Sequence, residues 1–200
     1  MNLNLQITAN ISIVISSTLL FLAILTFTKK SATGIGYRFL SLFVFFLTLN
    51  FLDEALEISG TYIRNPVLML IFQPGTYAIA PSFYLASVYL TSIGKKTELR
   101  LISHFTPYLL LLVLSILTFL ITPGAIVVRK PEINHIEKIA SISLSALLFI
   151  QIFWYVFLSL SQLRKHRKSI PLFLSNFAGN DYRWLSQIIM GLGIFQLSGC

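Results

Sequence analysis

Residues 8–28 read TANISIVISSTLLFLAILTFT, a stretch with no charged side chain. A helix needs about 20 mostly apolar residues to cross the roughly 30 Å hydrocarbon core of a bilayer, so this stretch is long enough to span it. Four further stretches of this kind, and most of a sixth, fill almost all of the 200 residues. The chain is therefore predicted to be an integral membrane protein.

Composition agrees, since 56% of the residues are apolar, 11% are charged and the mean hydropathy is +0.80. Unpaired backbone groups in lipid cost several kcal/mol each, so spanning segments are helices or closed barrels. The long apolar runs lack the alternation of a barrel strand. We predict an all-α, polytopic transmembrane helical bundle in a single domain, 1–200. The helices are expected over about 8–28, 37–58, 66–92, 101–122, 136–163 and 183–200.

Basic residues predict the orientation of the bundle. Eleven of the fifteen flank the first, third and fifth connections: Lys29, Lys30, Arg38, Lys95, Lys96, Arg100, Arg164, Lys165, Arg167, Lys168 and Arg183. Five of the seven acids lie on the opposite side. By the positive-inside rule these three connections are cytoplasmic and the amino terminus is outside. Lys29 and Lys30 follow the first apolar run, the reverse of a secretory signal, so that helix is expected to be retained.

The last apolar stretch runs to Cys200 without a flanking charge or loop. We therefore expect a piece of a longer protein, with six helices of a probable seven and a cytoplasmic carboxy-terminal effector domain beyond them.

The net charge of +8 does not indicate nucleic-acid binding by these residues. Basic side chains at the inner end of a helix are what topology and anionic lipid require. The predicted inner-membrane anchors are Arg164, Lys165, Arg167, Lys168, Arg183 and Trp184.

Motifs of catalysis are absent: the sequence has no Gly-rich phosphate loop, no Gly-x-Ser-x-Gly and no His-Glu-x-x-His. A lone cysteine and three scattered histidines predict neither a metal site nor a cofactor. We expect no enzyme.

One helical face is a candidate for sensing a ligand or pH. Its residues, spaced i, i+3, i+4 and i+7, are Asn50, Asp53, Glu54 and Glu57. Repulsion between the carboxylates would be relieved by a cation, by protonation or by a basic neighbour such as Arg64. The alternative is that the face simply lies among outer headgroups, paired with Arg64 or solvated.

The third apolar stretch contains a candidate hinge. Pro74, Gly75 and Pro81 lie inside it, and each proline removes a backbone hydrogen bond and clashes with the preceding turn. We expect this helix to kink or break, either as the hinge of a sensor, as the wall of a pocket or as a static packing feature.

Three segments together resemble a known family. The first is Ala80-Pro81-Ser82-Phe83-Tyr84-Leu85. The second runs from Leu101 to Leu110 and contains His104-Phe105-Thr106-Pro107-Tyr108. The third begins at Leu158 and includes Arg164-Lys165-His166-Arg167, Asn176-Phe177 and Arg183-Trp184-Leu185. In this order they are similar to the amino-terminal multi-helix membrane region of AraC-type bacterial transcription regulators. Ala80 and Tyr182 depart from that pattern, where the family usually has Gly and Leu.

The resemblance implies a seven-helix sensor unit in the bacterial inner membrane, multi-pass, followed by a domain with two helix-turn-helix motifs. DNA would be bound only through that absent carboxy-terminal domain. The implied partners are the lipid bilayer, an unidentified small ligand and a second copy in a homodimer. The alternatives are the input region of a sensor histidine kinase and a small transporter component.

Overall fold

The structure, a computed structural model, describes residues 3–29, 34–91, 101–121 and 135–173. Within these ranges the chain consists of helices and short turns, without a strand. The helices are α1 (Leu3–Thr28), α2 (Gly34–Ile58), α3 (Thr61–Arg64), α4 (Pro66–Phe72), α5 (Thr76–Thr91), α6 (Leu101–His104), α7 (Thr106–Ile121) and α8 (His135–Phe173), with a 3-10 turn at Gln73–Gly75. The predicted all-α bundle is confirmed. The predicted helix 183–200, with Arg183 and Trp184, lies outside the described residues.

Three stretches are long and apolar enough to cross a membrane: Asn4–Thr28, Gly34–Ile58 and Lys138–Lys165. The chain is therefore described as a membrane protein, with α1, α2 and α8 as the helices that could span the bilayer.

Two predicted helices are divided. The helix expected over 66–92 becomes α4, the 3-10 turn and α5, because Pro74 has no N–H with which to continue the α-helical bonding. The helix expected over 101–122 is divided at Phe105 into α6 and α7. Helix α7 has 16 residues, or about 24 Å, which is less than the hydrocarbon core of a bilayer.

Helix α8 is longer than its sequence pattern predicts. We expected its end at 163, where the apolar residues stop, yet the helix continues to Phe173. Lysine and arginine are good helix formers, so leaving the apolar stretch does not by itself end a helix. With 39 residues, α8 is about 58 Å long.

Small residues hold α1 against α2. The buried positions of α1 include Ala9, Ser12, Ser16 and Ala23, whereas its bulky apolar side chains are exposed, as a lipid-facing surface would be. Small side chains let two helix backbones approach closely in a membrane. The Ser41 hydroxyl donates a hydrogen bond to the Ala23 carbonyl oxygen over 2.6 Å, which ties the two antiparallel helices together.

Helix α5 is the centre of the bundle, with twelve of its sixteen residues buried. It runs antiparallel to α2, and the rings of Phe43 and Phe83 meet edge to face with centroids 5.0 Å apart. A Cβ on Gly36 would lie 2.9 Å from the side chain of Leu90, so the two helices approach each other closely there. The core consists of Leu40, Phe43, Phe46, Ala78, Ile79, Phe83, Ala86 and Leu163.

Helix α8 packs on α5 and runs parallel to it, since Gln151 contacts Tyr77 and Tyr155 contacts Tyr84. The start of α2 and the end of α5 therefore share one end of the bundle, and the end of α2 and the start of α5 share the other. This alternation is what the predicted orientation requires. Which end faces the cytoplasm stays a prediction.

Candidate functional site

The acidic face of α2 contacts three other elements. The Ser12 hydroxyl of α1 donates to Glu54 Oε2 over 3.1 Å, and the Tyr62 hydroxyl of α3 donates to Asp53 Oδ1. Both donors are neutral hydroxyls, so these two hydrogen bonds bring no positive charge to the carboxylates. Glu54 and Glu57 are exposed, as is Arg64.

Tyr62 keeps its proton in this arrangement. Burial, and then the hydrogen bond to the Asp53 carboxylate, raise the pKa of its hydroxyl well above the usual value for tyrosine. It therefore remains a donor to Asp53 throughout the neutral range.

Asn50, the remaining member of the face, connects α2 to the start of α5. Its Nδ2 atom donates to Thr76 Oγ1 over 3.1 Å. Thr76 is the first residue of α5 and directly follows the 3-10 turn that contains Pro74 and Gly75. The predicted acidic face and the predicted hinge are thus brought together by one hydrogen bond.

The next residue, Tyr77, connects α5 to α8 twice. Its hydroxyl donates to the Leu144 carbonyl oxygen over 2.9 Å, and its own carbonyl oxygen accepts from Gln151 Nε2 over 2.8 Å. That carbonyl needs an outside donor because its α-helical partner would be the N–H of residue 81, and Pro81 has none. In lipid, a neighbouring helix commonly satisfies the group that a proline frees. Gln151 does so here.

Gln151 lies at the middle of the apolar stretch of α8, thirteen residues after Lys138 and fourteen before Lys165. At 1.5 Å per residue it is about 20 Å from each basic end, so it would lie near the middle of the hydrocarbon core when α8 spans a bilayer. The side chain is 9% exposed. A buried amide is costly unless it is hydrogen-bonded, so its bond to Tyr77 helps to hold α5 against α8.

We call the residues Asn50, Thr76, Tyr77, Pro81 and Gln151 the α5 junction. Through it, the first turns of α5 are bonded to the acidic face on one side and to mid-membrane α8 on the other. Gln151 Oε1 is buried and has no hydrogen-bond partner among the described residues.

The hinge residues occupy different surroundings. Pro74 and Gly75 are buried in the 3-10 turn, where Gly75 is packed beside Phe46 and Leu49. Pro81 lies within α5, which continues through it as a helix. Whether any of the three acts as a hinge stays a prediction.

A second contact between helices lies further along α5 and α8. The rings of Tyr84, His104 and Tyr155 cluster with centroids 5.4 to 5.8 Å apart, and His104 Nδ1 and the Tyr155 hydroxyl are 3.0 Å apart. This cluster attaches α6 to the other two helices.

The predicted anchors in the described part of the chain lie at the far end of α8. Arg164 and Lys165 are exposed, and α8 continues through the positions of Arg167 and Lys168. In the described residues, no group of three or more His, Cys, Asp or Glu side chains is placed to hold a metal ion.

Sequence reasoning missed Tyr77 and Gln151. The signal was present: a glutamine at the middle of an apolar helix has to find a partner, and Pro81 leaves a carbonyl without its donor. The pairing itself spans 74 positions along the chain, so only the packing of α5 against α8 reveals it.

The fold and this site define a class: an all-helical membrane bundle whose central helix contains a proline and is held to its neighbours by polar contacts. No protein-family model matches the chain, and no curated protein or solved structure shows significant similarity to it.

Proposed function

We propose that this chain is the membrane-embedded input region of a transcription regulator of the AraC type. In this proposal a ligand or a proton acts on the acidic face, and α8 passes the response to the other end of the bundle. DNA binding belongs to a domain outside these 200 residues. The chain itself has no catalytic role and needs no cofactor.

One observation supports this best: the α5 junction makes a continuous set of contacts from the acidic face to mid-membrane α8. Thr76 and Tyr77 are adjacent, so a displacement of α2 relative to α5 acts on the residue next to the one that holds α8. The 3-10 turn before Thr76 interrupts regular α-helical bonding, which gives this part of the chain a place to change its bend.

Charge supplies the driving force in this mechanism. Three carboxylates lie within two turns of α2, and the donors to two of them, the Tyr62 hydroxyl to Asp53 and the Ser12 hydroxyl to Glu54, are neutral. A cation or a proton that reaches the face removes repulsion between them, and so favours a different packing of α2 against its neighbours. The conformation that binds the cation or proton better becomes more populated.

The test measures whether binding of a cation or a proton at the acidic face changes the position of α8. Spin labels are attached at exposed positions Phe27 on α1 and Trp154 on α8 after replacing Cys200 with serine, and their distance distribution is recorded in lipid nanodiscs. Titration with calcium or with acid should change the distribution. The change should be largely lost in Asp53→Asn/Glu54→Gln, because only one of the three carboxylates, Glu57, then remains.

Gln151→Leu provides the discriminating variant, since it retains the acidic face but removes one of the two hydrogen bonds between Tyr77 and α8. The proposal expects it to weaken the response at Trp154. A distribution that stays constant in the wild-type protein, or a response of undiminished size in Gln151→Leu, would contradict transmission through the junction.

A regulator also predicts an effect on transcripts. Deleting the gene in its own bacterium should change a defined set of transcripts; the wild-type gene should restore them and the Gln151→Leu gene should not. Pro81→Ala should alter this output while the protein still inserts. If deletion leaves the transcript profile unchanged, the proposal that this chain belongs to a transcription regulator is wrong.

Location and orientation are part of the proposal: a multi-pass protein of the bacterial inner membrane with its amino terminus outside. A cytoplasm-active reporter fused after Lys168 should be active, and the same reporter fused after Pro131 should be inactive. The reverse pattern would overturn the orientation.

Transport is the second candidate, because Gln151 Oε1 is buried, has no hydrogen-bond partner among the described residues, and lies at the middle of an apolar helix, as a group that binds a polar substrate would. Solute uptake that depends on Gln151, without an effect on transcripts, would favour it over the input region.

A further inference from the structure

A cavity that the input mechanism does not use lies on α8 where its apolar stretch ends, near Arg164 and Lys165. Its volume is about 330 Å³, and it is lined by Phe157, Leu160, Ser161, Arg164 and Lys165. Two aromatic or aliphatic side chains precede a hydroxyl and two cations along the helix. The cavity is therefore apolar toward the membrane centre and basic toward the helix end.

The position of this cavity relative to the bilayer follows from the length of α8. Lys138 and Arg164 are separated by 26 residues of continuous helix, or about 39 Å. This is longer than the roughly 30 Å hydrocarbon core and close to the roughly 40–45 Å that includes both headgroup layers. When Lys138 lies at one headgroup layer, Arg164 lies at the other, with Phe157 at the level of the acyl chains.

We propose that this cavity binds one anionic phospholipid. Arg164 and Lys165 are exposed and would pair with the headgroup phosphate, while the Ser161 hydroxyl would donate to one of its oxygens. Phe157 and Leu160 would contact the first methylenes of an acyl chain. The site does not depend on the proposed input function, because it needs only that α8 crosses the bilayer.

The full 200-residue chain, purified in mild detergent, is titrated with phosphatidylglycerol or phosphatidylcholine, and bound lipid is counted by native mass spectrometry. We expect one phosphatidylglycerol to bind in preference to phosphatidylcholine. A cation near an anionic surface contributes about a fivefold factor in binding, so Arg164→Gln should weaken this lipid about fivefold and Arg164→Gln/Lys165→Gln about 30-fold.

Lys138→Gln is the matched control, because it removes one exposed cation from the other end of the same helix. It should leave binding of phosphatidylglycerol unchanged. Equal losses in Lys138→Gln and Arg164→Gln would show only a general attraction to anionic lipid, and equal binding of the two lipids would also overturn the site.

Competition with inorganic phosphate distinguishes a phospholipid from free phosphate as the molecule that the cavity binds. A lipid site predicts that millimolar phosphate does not displace phosphatidylglycerol and that Phe157→Ala weakens binding of the lipid. Displacement by phosphate alone, with no effect of Phe157→Ala, would assign the cavity to a free phosphate and contradict a lipid.

Discussion

Replacing Gln151 by leucine should destabilise the bundle, and replacing Pro81 by alanine should reduce that effect. In the wild-type protein, Gln151 Nε2 is the donor described for the carbonyl oxygen that Pro81 frees, over 2.8 Å. With alanine at position 81, a backbone N–H becomes available to that same carbonyl oxygen of Tyr77. The amide of Gln151 is then no longer required.

The expected cost of Gln151→Leu follows from the loss of one hydrogen bond, between the Gln151 amide and the Tyr77 carbonyl oxygen. A hydrogen bond between membrane helices contributes about 0.6 kcal/mol on average and up to about 1.7 kcal/mol. A buried carbonyl left without a donor adds about 1–3 kcal/mol, offset in part because leucine also removes the unpartnered Gln151 Oε1. We expect Gln151→Leu to cost about 1–2 kcal/mol in the free energy of unfolding, and at least 0.5 kcal/mol less in the Pro81→Ala background.

The assay is reversible unfolding in bicelles by added SDS, applied to the wild-type protein, the two single variants and the double variant. The four free energies of unfolding form a double-mutant cycle. Its coupling energy measures how far the cost of Gln151→Leu depends on the residue at position 81. Gln162→Leu is the control, because it removes the same atoms from the same helix three turns away from Gln151. Its cost should be equal in both backgrounds.

A cost of Gln151→Leu that is the same with proline and with alanine at position 81 would refute this reasoning. It would mean that Gln151 stabilises the protein through its packing volume and not through the carbonyl that the proline frees.

Three further substitutions test the packing of the bundle. Gly36→Ala should cost about 1–3 kcal/mol in the free energy of unfolding, because its Cβ would overlap a leucine side chain of α5. Gly34→Ala, with open space around it, should be close to neutral. Unfolding of both variants by SDS checks this. Tyr62→Phe should cost about 1.5–3 kcal/mol, because it removes a hydroxyl that donates to a carboxylate of α2, and an unchanged unfolding midpoint would contradict that bond. Tyr155→Phe should increase hydrogen exchange at the amide of His104, because it removes the hydroxyl that ties α6 to α8; unaltered protection would argue against this contact.

Local patterns predicted those features whose causes are local. The spacing of the four polar residues on α2 placed them on one face, and Pro74 with Gly75 marked where regular α-helical bonding is interrupted. The partners of that face could not be predicted, because Ser12 and Thr76 belong to other helices and no pattern within α2 specifies which helices pack against it.

The surroundings of Pro81 could not be predicted from the sequence. The sequence predicts that this apolar stretch kinks or breaks; it breaks at the 3-10 turn, and α5 continues through Pro81 as a helix. The donor for the carbonyl that Pro81 frees comes from Gln151 on α8. The end of α8 predicted from the sequence, at 163, was also wrong, since the helix continues to Phe173. The apolar pattern marks where a membrane segment stops and not where helical bonding stops.

By itself, the sequence determined that the chain forms apolar helices, that a bilayer is their solvent, and where a proline would disturb them. These properties follow from the side chains and the backbone of each segment taken alone. Only the tertiary structure decided that α5 is the central helix and that its first turns are held by both α2 and α8. The physical reason is that a hydrogen bond between helices requires two distant segments to meet, and their meeting depends on packing over the whole bundle.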